Sequence, residues 1–176
     1  MNTILHIDAS ARGGDSISRI KSAQLVEQLA KQNGASVIYR NLADGVPLVT
    51  ETMVNAYFTP EEKRSDEQKE ALRVSDELVR ELQNSDALVI GTPVYNFSVP
   101  AALKAWADLV ARMGVTVDYE EGRPVGQLAD RPTKVAVAYG GTEIGSKRDF
   151  ATPWLTVFLN YIGLKDIEYI DATPQK

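Results

Sequence analysis

The stretch "ALVIGTPVYNFSVPAALKAW", residues Ala87–Trp106, decides the fold. An apolar run typical of a buried strand leads into Thr-Pro, then into a turn with Tyr95, Asn96 and Phe97, and then into a helix. A reversal of the chain needs no large side chains, so this turn is a candidate contact for a flat ligand whose polar edge bonds the turn's backbone groups. The alternative is that Tyr95 and Phe97 only fill the space between helix and sheet.

Five strand patterns alternate with helix patterns along the chain. The predicted strands are "TILHID", "ASVIYRNL", "DALVIGT", "KVAVAYGG" and "DIEYIDA". This alternation predicts right-handed crossovers and one parallel sheet. The second, third and fourth strands are apolar almost throughout, which is typical of strands covered by helices on both faces. With no linker and no internal repeat, residues 1–176 are predicted to form a single α/β domain.

The chain ends at "ATPQK", directly after the fifth predicted strand. A doubly wound sheet usually carries a further helix at this point, which covers one face of the sheet. We expect that the covering helix is absent from this chain or that a partner covers the face, because an apolar sheet face in water is sticky.

Composition excludes several classes of function. The 176 residues carry a net charge of -5, which argues against an extended nucleic-acid surface. The absence of cysteine excludes disulfides, thiol catalysis and cysteine-ligated metals, and the single histidine, His6, argues against a histidine metal site or a Ser-His-Asp triad. His6 is expected to be a packing or surface residue of the first strand. The sequence has no apolar run of about 18 residues and no signal peptide, so the expected compartment is the cytoplasm and no membrane contact is expected.

The loop after the first strand, "SARGGDSIS", offers the hydroxyls of Ser10, Ser16 and Ser18 together with two glycines. It leads into a helix N-terminus, whose free N–H groups and dipole favour an anion. These features predict a phosphate cradle, although the loop matches neither a P-loop nor a G-x-G-x-x-G motif. The alternative is that Ser16 or Asp15 caps the helix and does nothing more.

The loop after the fourth strand, "AYGGTEIG", contains Gly140 and Gly141, which allow the backbone to come close to a ligand. The alternative is a plain turn. Unusual loops therefore follow strands one, three and four. In a flavodoxin-like strand order of 2-1-3-4-5 these three strand ends surround one pocket. The predicted fold is accordingly an α/β flavodoxin-like three-layer sandwich with a five-stranded parallel sheet.

The sequence also resembles a known family over almost its full length. The matching stretches are "ILHIDAS", "PVYNFSVPAALKAWADLVARMGVTVDY", "GQLADRPTKVAVAYGG" and "YIGLKDIEYI". In these the chain resembles the FMN-dependent NAD(P)H azoreductases, also described as quinone oxidoreductases, which have the flavodoxin-like fold. Val94 stands where the family usually has Met, and Ala138 and Tyr139 stand where it often has Ser-Arg. Family members also typically continue with a final helix after the fifth strand.

The resemblance implies a set of FMN-binding residues. The phosphate is assigned to Ser10, Ser16, Ile17 and Ser18. The isoalloxazine ring is assigned to Val94, Tyr95, Asn96 and Phe97, and its other side to Ala138, Tyr139, Gly140 and Gly141. The substrate slot is assigned to Asn96, Phe97 and Tyr119, with Tyr57 and Phe58 as further candidates. Tyr119, Tyr57 and Phe58 would come from the partner subunit, and the alternative for each of them is packing or surface.

The resemblance further implies a homodimer with two FMN sites at the subunit interface. NADH or NADPH delivers a hydride to the flavin N5, leaves, and is replaced by a quinone or azo compound that accepts two electrons in a ping-pong cycle. No side-chain acid or base and no metal is required, so no classical catalytic residue is assigned. Two alternatives stay open, a flavodoxin-type electron carrier without NAD(P)H oxidation activity and a non-flavin α/β interaction or regulatory domain.

Overall fold

The computed structural model describes residues 1–173, which contain seven strands, five helices and two short 3-10 turns. The strands are β1 (Thr3–Asp8), β2 (Ser36–Asn41), β3 (Ala87–Pro93), β4 (Val117–Glu120), β5 (Arg123–Gly126), β6 (Thr133–Ala138) and β7 (Ile167–Asp171). The helices are α1 (Ile17–Asn33), α2 (Glu51–Tyr57), α3 (Asp66–Gln83), α4 (Ala101–Val110) and α5 (Ala151–Tyr161). The expectation of an absent covering helix after β7 falls on residues 174–176, which lie outside the described residues.

The main sheet has five parallel strands in the order β2-β1-β3-β6-β7. Strand β3 is its centre, and β1 lies between β2 and β3, where Ile4 pairs with Val37 on one side and with Ala87 on the other. Strands β4 and β5 pair with each other as an antiparallel hairpin outside this sheet. Counted without the hairpin, the sheet strands have the predicted order 2-1-3-4-5. The hairpin itself was not predicted, because its strands are short and Pro124 and Gly126 interrupt the apolar alternation that marks a strand.

Alternate residues of the central strands belong to two separate cores. Leu5 and Ile7 of β1 pack in the larger core, which contains the inner faces of α3, α4 and α5. Ile4 packs in the smaller core on the opposite face, with Val26 of α1 and Val89 of β3. Helices therefore cover both faces of the sheet, which gives the predicted three layers.

Strand β2 differs from its prediction. Its apolar composition indicated cover on both faces, but Val37 and Tyr39 are exposed. The strand lies at the edge of the sheet, and α1 packs mainly over β1, β3 and β6. An edge strand has one neighbour only, so its apolar side chains remain half in water.

Helix α3 follows its sequence pattern closely. It begins with a capping box, in which the side chain of Ser65 accepts from the N–H of Gln68 and the side chain of Gln68 accepts from the N–H of Ser65. Its apolar stripe at helical spacing forms the buried face. The buried residues of this face are Leu72, Ser75, Leu78, Val79 and Leu82.

Candidate functional site

The loops after β1, β3 and β6 meet at one cavity of about 220 Å³ at the carboxyl edge of the sheet. Its lining consists of Ser10, Arg12, Ser16, Ile17, Pro93, Val94, Tyr95, Ala138, Tyr139 and Gly140. Two contacts join the loops across it: the Ser10 hydroxyl lies 3.5 Å from the Tyr95 hydroxyl, and the N–H of Val94 donates to the carbonyl of Ala138 at 2.9 Å. The structure thus brings eight of the twelve residues predicted to bind a cofactor to a single hollow.

The first loop presents buried hydroxyls at the start of α1. Ser16 occupies the N-cap position, but its side chain makes no capping hydrogen bond. Its Oγ lies 3.3 Å from the Oγ of Ser18, and both serines are buried, as is Ser10. Since the first N–H groups of a helix have no acceptor within the helix, the end of α1 keeps donors for another partner. The alternative that Ser16 or Asp15 merely caps the helix through its side chain is wrong.

The turn after β3 has strained backbone at two consecutive residues. Tyr95 and Ser98 exchange backbone hydrogen bonds of 2.9 and 3.1 Å across the turn. Between them Asn96 has φ of 50° and Phe97 has φ of 71°. This is the type I′ geometry that glycine and asparagine adopt readily, whereas an aromatic residue there costs about 1–2 kcal/mol. Such strain is retained where the surrounding structure and its function require it.

The side chain of Phe97 points away from the interior, with 54% of its surface exposed, and Tyr95 is 36% exposed. The alternative that Phe97 fills the space between helix and sheet is therefore wrong. Asn96 and Phe97 do not line the cavity itself but form its rim, on the turn that carries Tyr95. A flat ligand in the cavity would extend toward this exposed ring.

The loop after β6 contributes Gly140 to the cavity, whereas Gly141 lines a neighbouring hollow with residues of the segment 142–148. Neither glycine has a positive φ, so the predicted need for glycine's conformational freedom is not what the structure shows. A Cβ added at either position would meet nothing within 4 Å. Because Gly140 and Gly141 have no side chains, there is open space beside the backbone at these positions. Their backbone angles are ones that any residue could adopt.

Tyr139 closes the cavity from the side of α5. Burial, and then the neighbouring carboxylate of Asp149, raise the pKa of the Tyr139 phenol. Asp149 in turn accepts the N–H groups of Gly145, Ala151 and Thr152 at 2.8–3.1 Å and so caps α5. Burial raises the pKa of Asp149, but these hydrogen bonds lower it further, and the net pKa lies below the usual range. The phenol therefore stays protonated, and the carboxyl stays ionised, at neutral pH.

Three further residues predicted for the substrate slot lie away from the cavity within this chain. Tyr119 is half exposed on the hairpin and adjoins Tyr161. Tyr57 packs beneath the guanidinium of Arg112, whose Cζ lies 4.9 Å from the ring centroid, so packing is its role in this chain. Phe58 is exposed at the end of α2.

Two lining residues were missed in the sequence, Arg12 and Pro93. Both stand inside the stretches quoted above, but the phosphate prediction rested on hydroxyls, glycines and a helix N-terminus. A guanidinium within a loop that ends at a helix N-terminus is itself a signal for an anion, because Arg is the side chain best suited to phosphate. Arg12 forms an exposed ion pair with Asp15 at the mouth of the cavity.

Behind the first loop lies a buried polar group centred on Asp8. Asp8 accepts from the hydroxyls of Ser22 and Tyr39 at 2.8 and 3.1 Å, and the Nε2 of His6 lies 2.9 Å from the Ser22 hydroxyl. Burial raises the pKa of Asp8, but the hydrogen bonds and charge of its neighbours, His6 first, lower it below the usual range. His6 is a buried packing residue and not a surface residue.

Within residues 1–173 no cluster of His, Asp and Glu side chains is arranged to hold a metal ion. None of the helices in this range combines the length and apolar character that a membrane crossing requires.

Comparison with known proteins identifies the family. Residues 2–175 match the Flavodoxin_2 family, which is described as having a flavodoxin-like fold. The FMN-dependent NADH:quinone oxidoreductase 1 of Jannaschia sp. (strain CCS1) is 48% identical over 172 residues, which is 98% of this chain and 88% of the relative. The FMN-dependent NADH:quinone oxidoreductase of Erythrobacter litoralis (strain HTCC2594) is 46% identical over 171 residues, 97% of this chain and 86% of the relative.

Solved structures give the same result. The FMN-dependent NADH-azoreductase from Bacillus anthracis str. Ames Ancestor, solved in complex with FMN, superposes with a TM-score of 0.84 at 25% identity, covering 98% of this chain and 87% of that one. The fold, the three loops at one cavity and the similarity over nearly the whole length agree with the resemblance seen in the sequence. The chain therefore belongs to the Flavodoxin_2 family, together with the enzymes named FMN-dependent NADH:quinone oxidoreductases and azoreductases.

Proposed function

We propose that this chain is an FMN-dependent oxidoreductase that passes two electrons from NADH to quinones and azo compounds. The observation that carries the proposal is the meeting of three loops, after β1, β3 and β6, at one cavity with phosphate-type donors at one end and exposed aromatic residues at the other. The cofactor, the donor and the acceptor class of the proposal are supported by the names of relatives that match nearly the whole of this chain.

The residues present fit FMN. The hydroxyls of Ser10, Ser16 and Ser18 are buried at the N-terminus of α1, where they and the free N–H groups can hold a phosphate. Ile17 follows directly and lines the same cavity, and Arg12 adds a positive charge at its mouth. An isolated phosphate dianion is costly to bury, so this set of donors and charge is what a phosphate site needs.

The ring of FMN would lie against the loops after β3 and β6. Val94, Tyr95, Ala138, Tyr139 and Gly140 face the cavity between these loops. The empty space where Gly140 lacks a Cβ leaves room for a planar system to approach the backbone. When bound, FMN supplies the two-electron chemistry, and the chain supplies binding, orientation and exclusion of water.

The acceptor would stack beyond the turn at Asn96 and Phe97. The strained turn holds the ring of Phe97 in solvent at the rim of the cavity, where a quinone or azo compound could rest against it. We assign the rest of the slot to a second copy of the chain in a homodimer. Exposed Tyr119, on the hairpin, and exposed Phe58 are the residues of the second copy that we propose for this role.

No side chain is proposed as acid or base. Tyr139, the one phenol buried in the cavity lining, has a raised pKa and holds its proton. We propose that donor and acceptor use the same slot beside Phe97 in turn, which is the ping-pong order.

The proposal is tested by a visible spectrum of the purified protein, followed by NADH oxidation with and without a quinone. The expected result is a flavin spectrum that NADH bleaches and a quinone restores, with parallel initial-rate lines when both substrates are varied. A bound flavin that NADH leaves oxidised would favour the flavodoxin-type electron carrier. A colourless protein that takes up no added FMN would favour the interaction or regulatory domain.

A further inference from the structure

The loop from Ser10 to Ser16 is a thin wall between two cavities. Ser10 and Ser16 face the cavity described above, whereas Gly13 and Gly14 face a second cavity of about 460 Å³ on the side of α1 and β2. The tip of the loop is exposed and has few packing contacts, and a Cβ at either glycine would meet nothing within 4 Å. The position of this wall therefore depends on hydrogen bonds rather than on packing.

Arg19 holds this loop in place from the side of the second cavity. Its guanidinium donates to the backbone carbonyl of Ser10 at 2.6 Å and to the side-chain oxygen of Asn41 at 2.5 Å through the same nitrogen. The other terminal nitrogen donates to the hydroxyl of Tyr39 at 2.9 Å and lies 3.6 Å from the carboxylate of Asp8. One planar fork thus connects the start of the loop to the last residue of β1 and to two residues of β2.

Asp8, the carboxylate next to the guanidinium of Arg19, is held rigidly. Asp8 is 3% exposed and already accepts from Ser22 of α1 and from Tyr39. Its charge is compensated by Arg19, and the side chain of Arg19 is itself only 12% exposed. The terminal nitrogens of Arg19 and the carboxylate of Asp8 thus share several hydrogen bonds in a largely buried setting, which restricts both side chains to one geometry, although the Nε of Arg19 has no hydrogen-bond partner within the described residues.

We propose that Arg19 is a positioning residue for the phosphate end of the cofactor site: by holding the Ser10 carbonyl on the α1 side, it directs the Ser10 hydroxyl and the N-terminus of α1 toward the phosphate. The inference rests on the proposed function. Arg19 does not line the cavity with Ser10 and Ser16, so it acts through the loop and not by contact with the ligand.

The test compares FMN with riboflavin, which has the same ring and no phosphate. Apoprotein of the wild type and of Arg19→Gln is titrated with each flavin, and binding is followed by flavin fluorescence. The dissociation constant for FMN is expected to rise roughly tenfold or more in the variant, as for the loss of a hydrogen bond to a charged group, and that for riboflavin to stay unchanged. Equal weakening of both flavins would show a general structural role and would overturn the proposal.

Two further variants test why FMN affinity falls when Arg19 is replaced. Arg19→Lys keeps the charge but replaces the two terminal nitrogens of the planar guanidinium, which bond Ser10, Asn41 and Tyr39, with a single ammonium nitrogen, so its FMN affinity is expected to stay below that of the wild type. Full recovery by lysine would mean that charge alone matters, and would overturn the positioning role. If Arg19→Gln does not fold, Tyr39→Phe removes one bond of the fork at a half-exposed residue, and the same selective but smaller loss of FMN affinity is expected.

Arg73→Gln is the matched control, because Arg73 is an exposed arginine of α3 whose only ion pair is with Glu70 within the described residues. Its affinities for both flavins are expected to equal those of the wild type. A wild-type protein that binds FMN no more tightly than riboflavin would contradict the phosphate site itself, and hence the proposed function. Preference for FMN that persists in Arg19→Gln would contradict only the role of Arg19.

Discussion

Asn96 and Phe97 are the residues at which local preference and observed geometry disagree. Asparagine adopts a positive φ with little cost, but phenylalanine does not, and its ring remains largely in solvent. A sequence optimised for stability alone would place glycine there, as the type I′ turn favours Asn-Gly. The bend was recognised in the sequence because large side chains stood where a turn needs none. Its positive φ values were not predicted, since no glycine marked them.

Phe97→Gly should raise the stability of the apoprotein while it lowers activity. Release of the strained φ is expected to increase the free energy of unfolding by about 1 kcal/mol, and loss of the ring to reduce quinone reduction. Urea unfolding and steady-state rates measure the two effects. Phe97→Ala is the control, because it removes the ring but keeps the strained backbone. Equal unfolding midpoints for the glycine and alanine variants would contradict the assignment of strain.

Gly140→Val should weaken FMN binding without destabilising the apoprotein. A side chain at Gly140 meets no protein atom within 4 Å, but it would project beside the cavity that Gly140 lines. The dissociation constant for FMN is expected to rise roughly tenfold, while the urea midpoint of the apoprotein stays unchanged. Gly141→Val serves as the comparison, since Gly141 lines the neighbouring hollow. A larger effect at Gly141 than at Gly140 would place the ligand in that hollow instead.

The elements were predicted better than the contacts between them. The five sheet strands, the stop of α1 before Gly34 and the buried stripe of α3 all follow from apolar period and from turn residues. The exposure of β2 does not follow, because an edge strand and a central strand can have the same apolar composition. The hairpin was missed for a related reason: four-residue strands are too short for alternation to be recognised. Nor does the sequence show that Asp149, two residues before the first residue of α5, accepts the free N–H groups at the start of this helix.

Asp149→Asn should make the free energy of unfolding depend less on pH in the acid range. The pKa of Asp149 is depressed in the folded protein relative to about 3.9 in the unfolded chain, so ionised Asp149 stabilises the fold above that pH. This contribution is lost as the pH falls through the lower, folded pKa. The variant is expected to be about 1–2 kcal/mol less stable at pH 7, because both carboxylate oxygens accept backbone N–H groups and an amide has one acceptor oxygen and no charge. It is also expected to lose less stability than the wild type between pH 5 and pH 3.

The measurement is a series of urea midpoints from pH 7 to pH 3 for both proteins. The difference between them isolates Asp149 from the other carboxyls with lowered pKa, of which Asp8 is the most buried. Glu70→Gln, on the exposed face of α3, is the control and should follow the wild type at every pH. Parallel curves for Asp149→Asn and the wild type would contradict the ionised cap.

At the scale of the whole molecule, topology brings distant parts of the chain to one edge. The sequence allowed this to be predicted, because the carboxyl ends of the strands at positions one, three and four must be neighbours in a 2-1-3-4-5 sheet. Which residues would point into the resulting cavity could not be predicted, because side-chain direction depends on backbone angles at the strand ends. Arg12 was missed for this reason.

FMN should stabilise the whole chain against heat, because its proposed contacts come from three segments that separate on unfolding. At an FMN concentration of 100 times the dissociation constant, the free energy of unfolding is expected to rise by about 2.7 kcal/mol, which corresponds to roughly 5–10 °C in Tm. Differential scanning fluorimetry with a series of FMN concentrations measures it. Riboflavin at equal concentration should give a smaller shift. An unchanged Tm at saturating FMN would contradict a cofactor site that spans the three loops.

The register of β1 has a consequence for biosynthesis. Ile4 pairs with Val37 of β2, which is synthesised soon after it. On its other side Ile4 pairs with Ala87 of β3, which is synthesised only when about half of the chain is complete. Until then β1, which has a strand on either side in the finished sheet, has a free edge that is open to chaperones, proteases and other nascent chains. Ribosomal pausing before the codon for Ala87 would prolong that exposure, whereas a pause after Ala138 would find the first four sheet strands already complete.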